Sequence, residues 1–388
     1  MNYVCISPNF PPNYVNFSVR LRERGARVLG IGAEPYEQLS QTLRGVLTEY
    51  YRVYNMENYE GVLQACGYFT HRYGKIHRIE SHNEYWLAQD ARLRTDFNVF
   101  GFKNDDMGPI KRKSAMKEVF RNFGIPVARG RIVHGLSDAF ELIAETGYPV
   151  CAKPDSGVGA TQTFKLRNEE ELQLFFDTKP PMEYIMEEFI EGEIHTFDGL
   201  TDREGNVVFM NSFIFPKGVM ESVNDNLDMF YYSQKEIPGD LIEYGARAAK
   251  AFGLKERFFH FEFFRTPESE LVALEINARP PGGWSMDMFN YAHDADLYDQ
   301  YAKLVMDGAV DAFSHGAYTT AYFGRKHREH IVHAHGAADI LENFRGMIIQ
   351  HGPIDSIFAP AIGDYAFILR AEDPEPLMEA AAYILERA

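Results

Sequence analysis

Short apolar runs broken by polar, glycine-bearing turns dominate the chain, and the spacing of those runs changes along its length. Near the start, residues 2–7 (NYVCIS) read as a strand, residues 17–24 as an amphipathic helix and residues 26–31 (ARVLGI) as a second strand. That succession predicts a right-handed βαβ unit and a parallel sheet. Runs at 50–53, 76–80 and 99–100 are expected to extend it. The connection after the first strand is PNFPPNY rather than GxGxxG, so the dinucleotide fingerprint is absent. Beyond residue 104 a helix over 114–123 stops at Gly124, and IPVARGRIV is strand-like. A helix over 136–146 is opened by Ser137 and Asp138 and closed by Gly147. YPVCAKPDSGVGATQTFKL then reads as strand, glycine-rich tip, strand. From residue 184 onward alternating runs predict an antiparallel sheet: 184–189, 194–198, a turn at 203–206, then VVFMNSFIF. Helices over 241–252, 298–306 and 376–385 and strands at 317–323 and 366–369 complete the pattern.

The chain has 388 residues, more than one hydrophobic core usually supports, so two or three domains are expected. A 45% hydrophobic and 14% aromatic content is that of a globular protein. No apolar run reaches transmembrane length and the first residues do not form a charged-then-apolar leader, so a cytoplasmic protein without a membrane partner is expected. Cys5, Cys66 and Cys151 lack metal spacing and read as reduced thiols. The net charge of −17 argues against a nucleic-acid partner. Any phosphate site in so acidic a chain must be built locally, from lysines, backbone amides and metal.

The most informative segment is FHFEFFRTPESELVALEINARPPGG, residues 259–283. Glu275, Asn277 and Arg279 are two apart and share one strand face. The Pro267-Glu268-Ser269 turn lets Glu262 stand beside Glu275 across an antiparallel pair. Three oxygen donors and a cation on one face suit Mg²⁺ (or Mn²⁺) bridging nucleotide phosphates. Lys153 closes an apolar strand and needs an anionic partner. The Asp155–Ala160 tip brings backbone amides to phosphate oxygens, or is an ordinary β-turn. YIMEEFIEGE reads either as a hinge offering a carbonyl and an amide to a flat base, or as a plain strand connection. Gly282 and Gly283 precede a helix and can offer amides to an anion; Trp284 lines a pocket or packs in a core. The pair His333 and His335 has strand spacing for a metal but no third ligand.

In order and spacing these segments resemble the ATP-grasp superfamily, specifically carboxylate–amine ligases similar to biotin carboxylase and the carbamoyl-phosphate synthetase large subunit. The resemblance is strong over residues 100–310. It implies a mixed α/β and α+β chain: an N-terminal Rossmann-like α/β domain (1–103), a small ATP-grasp lobe with the lysines and glycine loop (104–190), a large lobe with the metal site (191–312) and a C-terminal α+β extension packed on it (313–388). Residue by residue it implies ATP contacts from Lys113, Lys153, Ser156, Gly157, Gly159 and Glu187. Glu188 and Ile190 would contribute through the backbone, and either Glu193 or His195 would contact ribose. It further implies metal binding by Glu262, Glu275 and Asn277 and a catalytic role for Arg279.

The activity implied is attack of a carboxylate on ATP to give an acyl phosphate and ADP, followed by capture with an amine. The substrates would be small carboxylic or amino acids and an amine, including dipeptide-forming pairs. Gly282, Gly283 and Trp284 are candidate substrate contacts. Arg325, in the basic run GRKHRE, either holds an acceptor carboxylate or lies in a solvated turn. The loop 218–232 is a candidate cover for the acid. A carboxylase or kinase-type reaction of the same superfamily and an inactive nucleotide sensor are the alternatives, and a homodimer is the expectation from symmetry.

Overall fold

A computed structural model describes residues 1–157, 162–312, 316–328 and 331–388. Asn2–Ile6 (β1), Arg27–Gly32 (β2), Glu49–Arg52 (β3) and Arg78–Glu80 (β4) form a sheet of order β3-β2-β1-β4, parallel throughout. β1 is buried along its whole length, as expected of a parallel strand covered on both faces. Helices Val15–Glu23, Gln41–Val46 and Tyr59–Tyr73 connect these strands, and Leu87–Asp96 follows the last of them. The run at 99–100 is not a strand: Val99 is buried, but the segment turns around Gly101, whose φ of +112° suits glycine.

Gly130–Val133 (β5), Val150–Pro154 (β6), Phe164–Leu166 (β7) and Tyr184–Glu188 (β8) make a four-stranded antiparallel sheet of order β5-β8-β6-β7. Helices Leu136–Thr146 and Glu169–Thr178 cover one side, burying Ala139, Leu142, Leu172 and Phe175. The first of these helices starts on Gly135 and not on Ser137. Asp138 contributes by accepting from the His134 amide (2.7 Å).

The large sheet holds Glu193–Thr201 (β9), Val207–Asn211 (β10), Phe213–Phe215 (β11), Met229–Ser233 (β12), Arg257–Arg265 (β13), Leu271–Asn277 (β14), Thr319–Arg325 (β15), Ile348–Pro353 (β16) and Tyr365–Ala371 (β17). Its order is β14-β13-β9-β11-β12-β15-β17-β16, with β10 also paired to β9. The C-terminal strands therefore continue the large lobe's own sheet through the β12–β15 pairing. VVFMNSFIF is broken at Ser212, where the Thr196 hydroxyl accepts from the Phe213 amide (2.8 Å). The loop expected at 218–232 contains a short helix, Val219–Asn224, and most of β12.

Alternation assigns the two faces of this sheet. Phe197, Phe259, Phe261 and Phe263 point to a core built with helices Lys113–Asn122 and Gly239–Ala251. Leu200, Phe213, Tyr231, Phe258 and Tyr322 point the other way, packing with Tyr3, Phe17 and the helix Leu297–Asp307. A reciprocal set of buried ion pairs fixes the N-terminal domain on this lobe. Arg78 holds Glu256 (2.9 Å), while Arg257 holds both oxygens of Glu80 (2.9 and 3.0 Å), which Arg94 also meets (2.7 Å). Burial opposes charge on Glu80, but Arg257 and Arg94 outweigh it and keep its carboxyl below the usual range.

Candidate active site

Cleft chemistry begins on the helix Lys113–Asn122, whose start is held by the glycine loop. Buried Asp155 accepts from the Ser114 amide (2.7 Å), the Ser114 hydroxyl (3.0 Å) and Arg112 Nε (2.9 Å), and its carbonyl takes the Lys113 amide (2.8 Å). Arg112 also forms a backbone bridge with Ser156. The loop that carries Ser156 and Gly157 is thus tied to the helix that carries Lys113. Gly159 lies outside the described residues.

Lys113 and Lys117, one helical turn apart, share a face. Lys113 Nζ stands 3.7 Å from Glu275 of the large lobe. Lys117 Nζ lies 3.1 Å from Glu187 Oε1, and Lys153 Nζ 3.0 Å from Glu187 Oε2. β6 and β8 pair Cys151 with Glu187, so Lys153, two residues on, points to the same side. All three charged side chains are nearly or fully buried. Burial pushes the Lys117 ammonium down, partly countered by Glu187. For Lys153 the same burial is outweighed by Glu187, with Glu275 adding to it, and its pKa is raised. Burial opposes charge on Glu187 as well, but the two lysines hold its carboxyl below the usual range.

The hinge follows β8. Glu188 turns its carboxylate outward to Arg129 (2.6 Å) and gives its amide to the Arg129 carbonyl (2.9 Å). The Ile190 amide makes no hydrogen bond among the described residues. Gly192 passes so close to β13 that a Cβ there would lie 2.4 Å from the Arg265 carbonyl oxygen.

On the large lobe, register places Glu262 opposite Glu275 on one side and Thr196 on the other, and His260 opposite Asn277 and Asp198. His260 Nδ1 donates to Asp198 (2.5 Å) and Nε2 to Glu262 (3.1 Å). Burial would lower its pKa, but the two carboxylates raise it to about 9. Arg279 donates to Asn277 Oδ1 (3.2 Å) and approaches Glu84 (3.7 Å), which Lys111 also holds (2.7 Å). Among the described residues no group of three or more His, Cys, Asp or Glu is gathered as a self-sufficient metal cage. A site whose shell is completed by phosphate oxygens needs fewer protein ligands.

Structure and sequence reading part at several residues. Glu193 and His195 lie on the opposite face from Glu262: His195 pairs with Phe263 and meets Gln234 (3.1 Å), while Glu193 pairs with Arg265. A displacement of one residue flips the face, and the residues beside the acidic pair are Thr196 and Asp198. Arg325 also lies on the far face, its guanidinium donating to the His335 carbonyl (2.8 Å). His333 and His335 turn to different carboxylates, Asp228 and Glu386, each at 3.0 Å. Gly282 and Gly283 follow Arg279 after Pro280 and Pro281. The Gly283 carbonyl accepts from Asn13 (3.1 Å), and half-buried Trp284 packs edge-on to Tyr322 and opens the helix Ser285–His293. Lys117, Asp155, Asp198 and His260 were missed. Helical spacing from Lys113 marks Lys117, and strand spacing from Glu262 marks His260, whereas Asp155 and Asp198 become visible only through their partners.

A small lysine-bearing β-lobe hinged over an acidic sheet defines a two-lobed nucleotide-binding architecture. Residues 146–287 match the family model described as ATP-grasp domain. The chain carries an ATP-grasp domain on an ATP-grasp fold, preceded by a parallel α/β domain. It is 25% identical over 235 residues to an L-arginine-specific L-amino acid ligase of Bacillus subtilis, a match covering 58% of this chain and 57% of that protein. It is 22% identical over 205 residues to the carbamoyl phosphate synthase large chain of Clostridium acetobutylicum, covering 49% of this chain and 18% of that one. The matched region is thus little more than half of the first relative and under a fifth of the second. Among solved structures, an L-amino acid ligase from Bacillus licheniformis superposes with a TM-score of 0.75 at 13% identity over 100% of this chain and 98% of that one. N5-carboxyaminoimidazole synthetase from Staphylococcus aureus, complexed with ADP, gives 0.74 at 14% identity over 99% and 97%.

Proposed function

We propose that this protein is an ADP-forming ligase that activates a small carboxylic or amino acid with ATP and joins it to an amine. The observation that carries this reading is the meeting of Lys153, from the small lobe, and Lys113, at the start of the helix packed on the large sheet, with the Glu262–Glu275 pair of the large lobe. A pair of lysines facing a pair of carboxylates is the arrangement that a metal-bound triphosphate completes, each charge finding an opposite one.

Two features of the small lobe fit a purine nucleotide. Glu187 Oε1, met by the Lys117 ammonium at 3.1 Å, keeps further acceptor capacity, and the Ile190 amide makes no hydrogen bond among the described residues. An exocyclic amino group of adenine can donate to that carboxylate, and a ring nitrogen can accept from the amide. Glu262, Glu275 and Asn277 form a hard oxygen set suited to Mg²⁺ or Mn²⁺, which supplies charge neutralisation of the phosphates when bound.

Lys113 and Lys153 hold phosphate oxygens, and the loop that Asp155 ties to the helix covers them. An oxygen of the substrate carboxylate attacks the γ-phosphorus as the bond to the bridging oxygen breaks, and ADP leaves. The amine nitrogen then adds to the acyl carbon, Arg279 stabilises the oxyanion, and expulsion of phosphate with loss of the amine proton leaves the amide. Closure of the lobes excludes water that would hydrolyse the acyl phosphate. Glu187 and Lys117 position Lys153.

A screen of amino-acid pairs for ADP release, with mass spectrometry of the product, tests the reading. ADP formation that requires both a carboxylate and an amine, and is lost in Glu275→Gln and Arg279→Ala, is expected. Undiminished ADP release in both variants contradicts it.

A further inference from the structure

A cavity of about 630 Å³ among the described residues lies away from the cleft. It sits where the N-terminal domain meets the large lobe, at the amino end of β4, and is walled by the turn after helix Leu87–Asp96 and the turn before β13. Ligands of parallel α/β sheets bind outside the carboxyl ends of the strands, which here is the side of His82 and Glu84. The cavity is at the other end, so the catalytic reading leaves it unexplained.

Its lining is basic in a chain of net charge −17: Lys75, Arg78, Lys103, Lys255 and Arg257 face a single carboxylate, Asp106. These cations are of two kinds. Arg78 and Arg257 are fixed in place by Glu256 and Glu80 and stacked on Phe100 (4.8 Å) and Phe102 (5.0 Å). Lys75 and Lys255 have no carboxylate partner among the described residues, and Lys103 meets only the Asn98 amide oxygen (3.0 Å). His77 accepts the Asn2 amide on Nδ1 (3.0 Å), which leaves its Nε2–H as a donor. Guanidinium groups balanced by Glu256 and Glu80 form a rigid back wall, and the lysines at the rim, without carboxylate partners among the described residues, give the concave surface its excess positive charge. Its volume falls in the range of small-ligand sites.

We propose that this cavity is a second ligand site, taking a small molecule with two or more phosphate or carboxylate groups. It is physically continuous with the catalytic strand, because Arg257 also donates to the Ala278 carbonyl (2.6 Å), between Asn277 and Arg279. The inference does not rest on the ligase reading.

Calorimetry on the full chain, without nucleotide or divalent metal, tests it with two probes, citrate and inorganic pyrophosphate. Lys75→Ala/Lys255→Ala removes exposed rim charges, and Lys153→Ala is the control for the cleft. Binding of at least one probe, weakened about tenfold or more by the rim substitutions and by added KCl but unchanged by Lys153→Ala, is expected. Citrate alone marks a polycarboxylate site, pyrophosphate alone a phosphate site, and both a charge-selective one. No binding of either probe at about 10 mM, or binding that is indifferent to the rim pair, or binding lost with Lys153→Ala, overturns the proposal.

Discussion

Glu187→Gln is the substitution whose cost the structure defines best. The carboxylate is 3% exposed and sits 3.0 and 3.1 Å from two ammonium groups that are themselves buried. At about 3 Å and an effective dielectric near 20, each pair is worth roughly 5 kcal/mol of gross attraction, most of it offset by desolvation. Removing one member of a buried pair leaves that desolvation unopposed, and about 3–5 kcal/mol is the usual loss. Two lysines are stranded here, but each can deprotonate. Holding a lysine neutral at pH 7 costs at most about 5 kcal/mol, from its ordinary pKa near 10.4, so the penalty is bounded. The expected loss is therefore about 3–5 kcal/mol of a total near 5–15. In the variant the folded lysine pKa values fall below their unfolded values. The deficit is then full at neutral pH and shrinks as pH rises toward the unfolded value. Urea unfolding of the ligand-free protein at pH 7 and pH 9.5 measures both features. A change at pH 7 under about 0.5 kcal/mol, or an equal loss at both pH values, refutes the reasoning. Glu188→Gln, which releases only exposed Arg129, is the matched control and should be small by comparison.

Lys117→Met should leave folding nearly intact, because it replaces a buried ammonium with an apolar chain of similar length. Glu187 is then left to Lys153 alone, and nucleotide affinity should fall about 5–30-fold by titration, as expected for roughly 1–2 kcal/mol. Gly192→Ala drives a Cβ against the Arg265 carbonyl and should cost about 1–3 kcal/mol in a thermal melt, whereas Gly282→Ala, with open space around it, should be silent. His82, stacked on Phe17 at 4.0 Å, has its pKa pushed down by burial to about 4 from 6.5. A base with a depressed folded pKa destabilises the fold as pH falls from 6.5 through 4, here by up to about 3 kcal/mol. Denaturation at pH 7 and pH 4.5 should show that slope in the wild type and a shallower one in His82→Gln.

What could be read from the sequence was whatever depends on local period. The Glu262–Glu275 pairing, the Pro267–Ser269 turn and the helices beginning near Lys113 and Leu136 follow from spacing alone, and they appear where that spacing puts them. Register between strands does not follow from spacing. Glu193 and His195 differ from Thr196 and Asp198 by one position, and only pairing of β9 with β13 decides which set joins the acidic pair. Arg325 shows a related effect: a basic run in an acidic chain looks functional, and its strand turns that side chain to the far face from Glu262. Val99 and Phe100 are apolar because they pack in a turn. Asp155 and Asp198 could not be read from spacing, because Asp155 caps a helix about forty residues earlier and Asp198 acts through His260 on another strand.

The central claim is that metal-bound ATP is held between the two lobes. Calorimetry with a non-hydrolysable ATP analogue, with and without Mg²⁺, tests it most directly. The account predicts saturable binding that strengthens with Mg²⁺, loses its Mg²⁺ dependence in Glu262→Gln/Glu275→Gln and is lost in Lys113→Ala/Lys153→Ala. No binding in the presence of Mg²⁺, or binding unaffected by both pairs of substitutions, would contradict it.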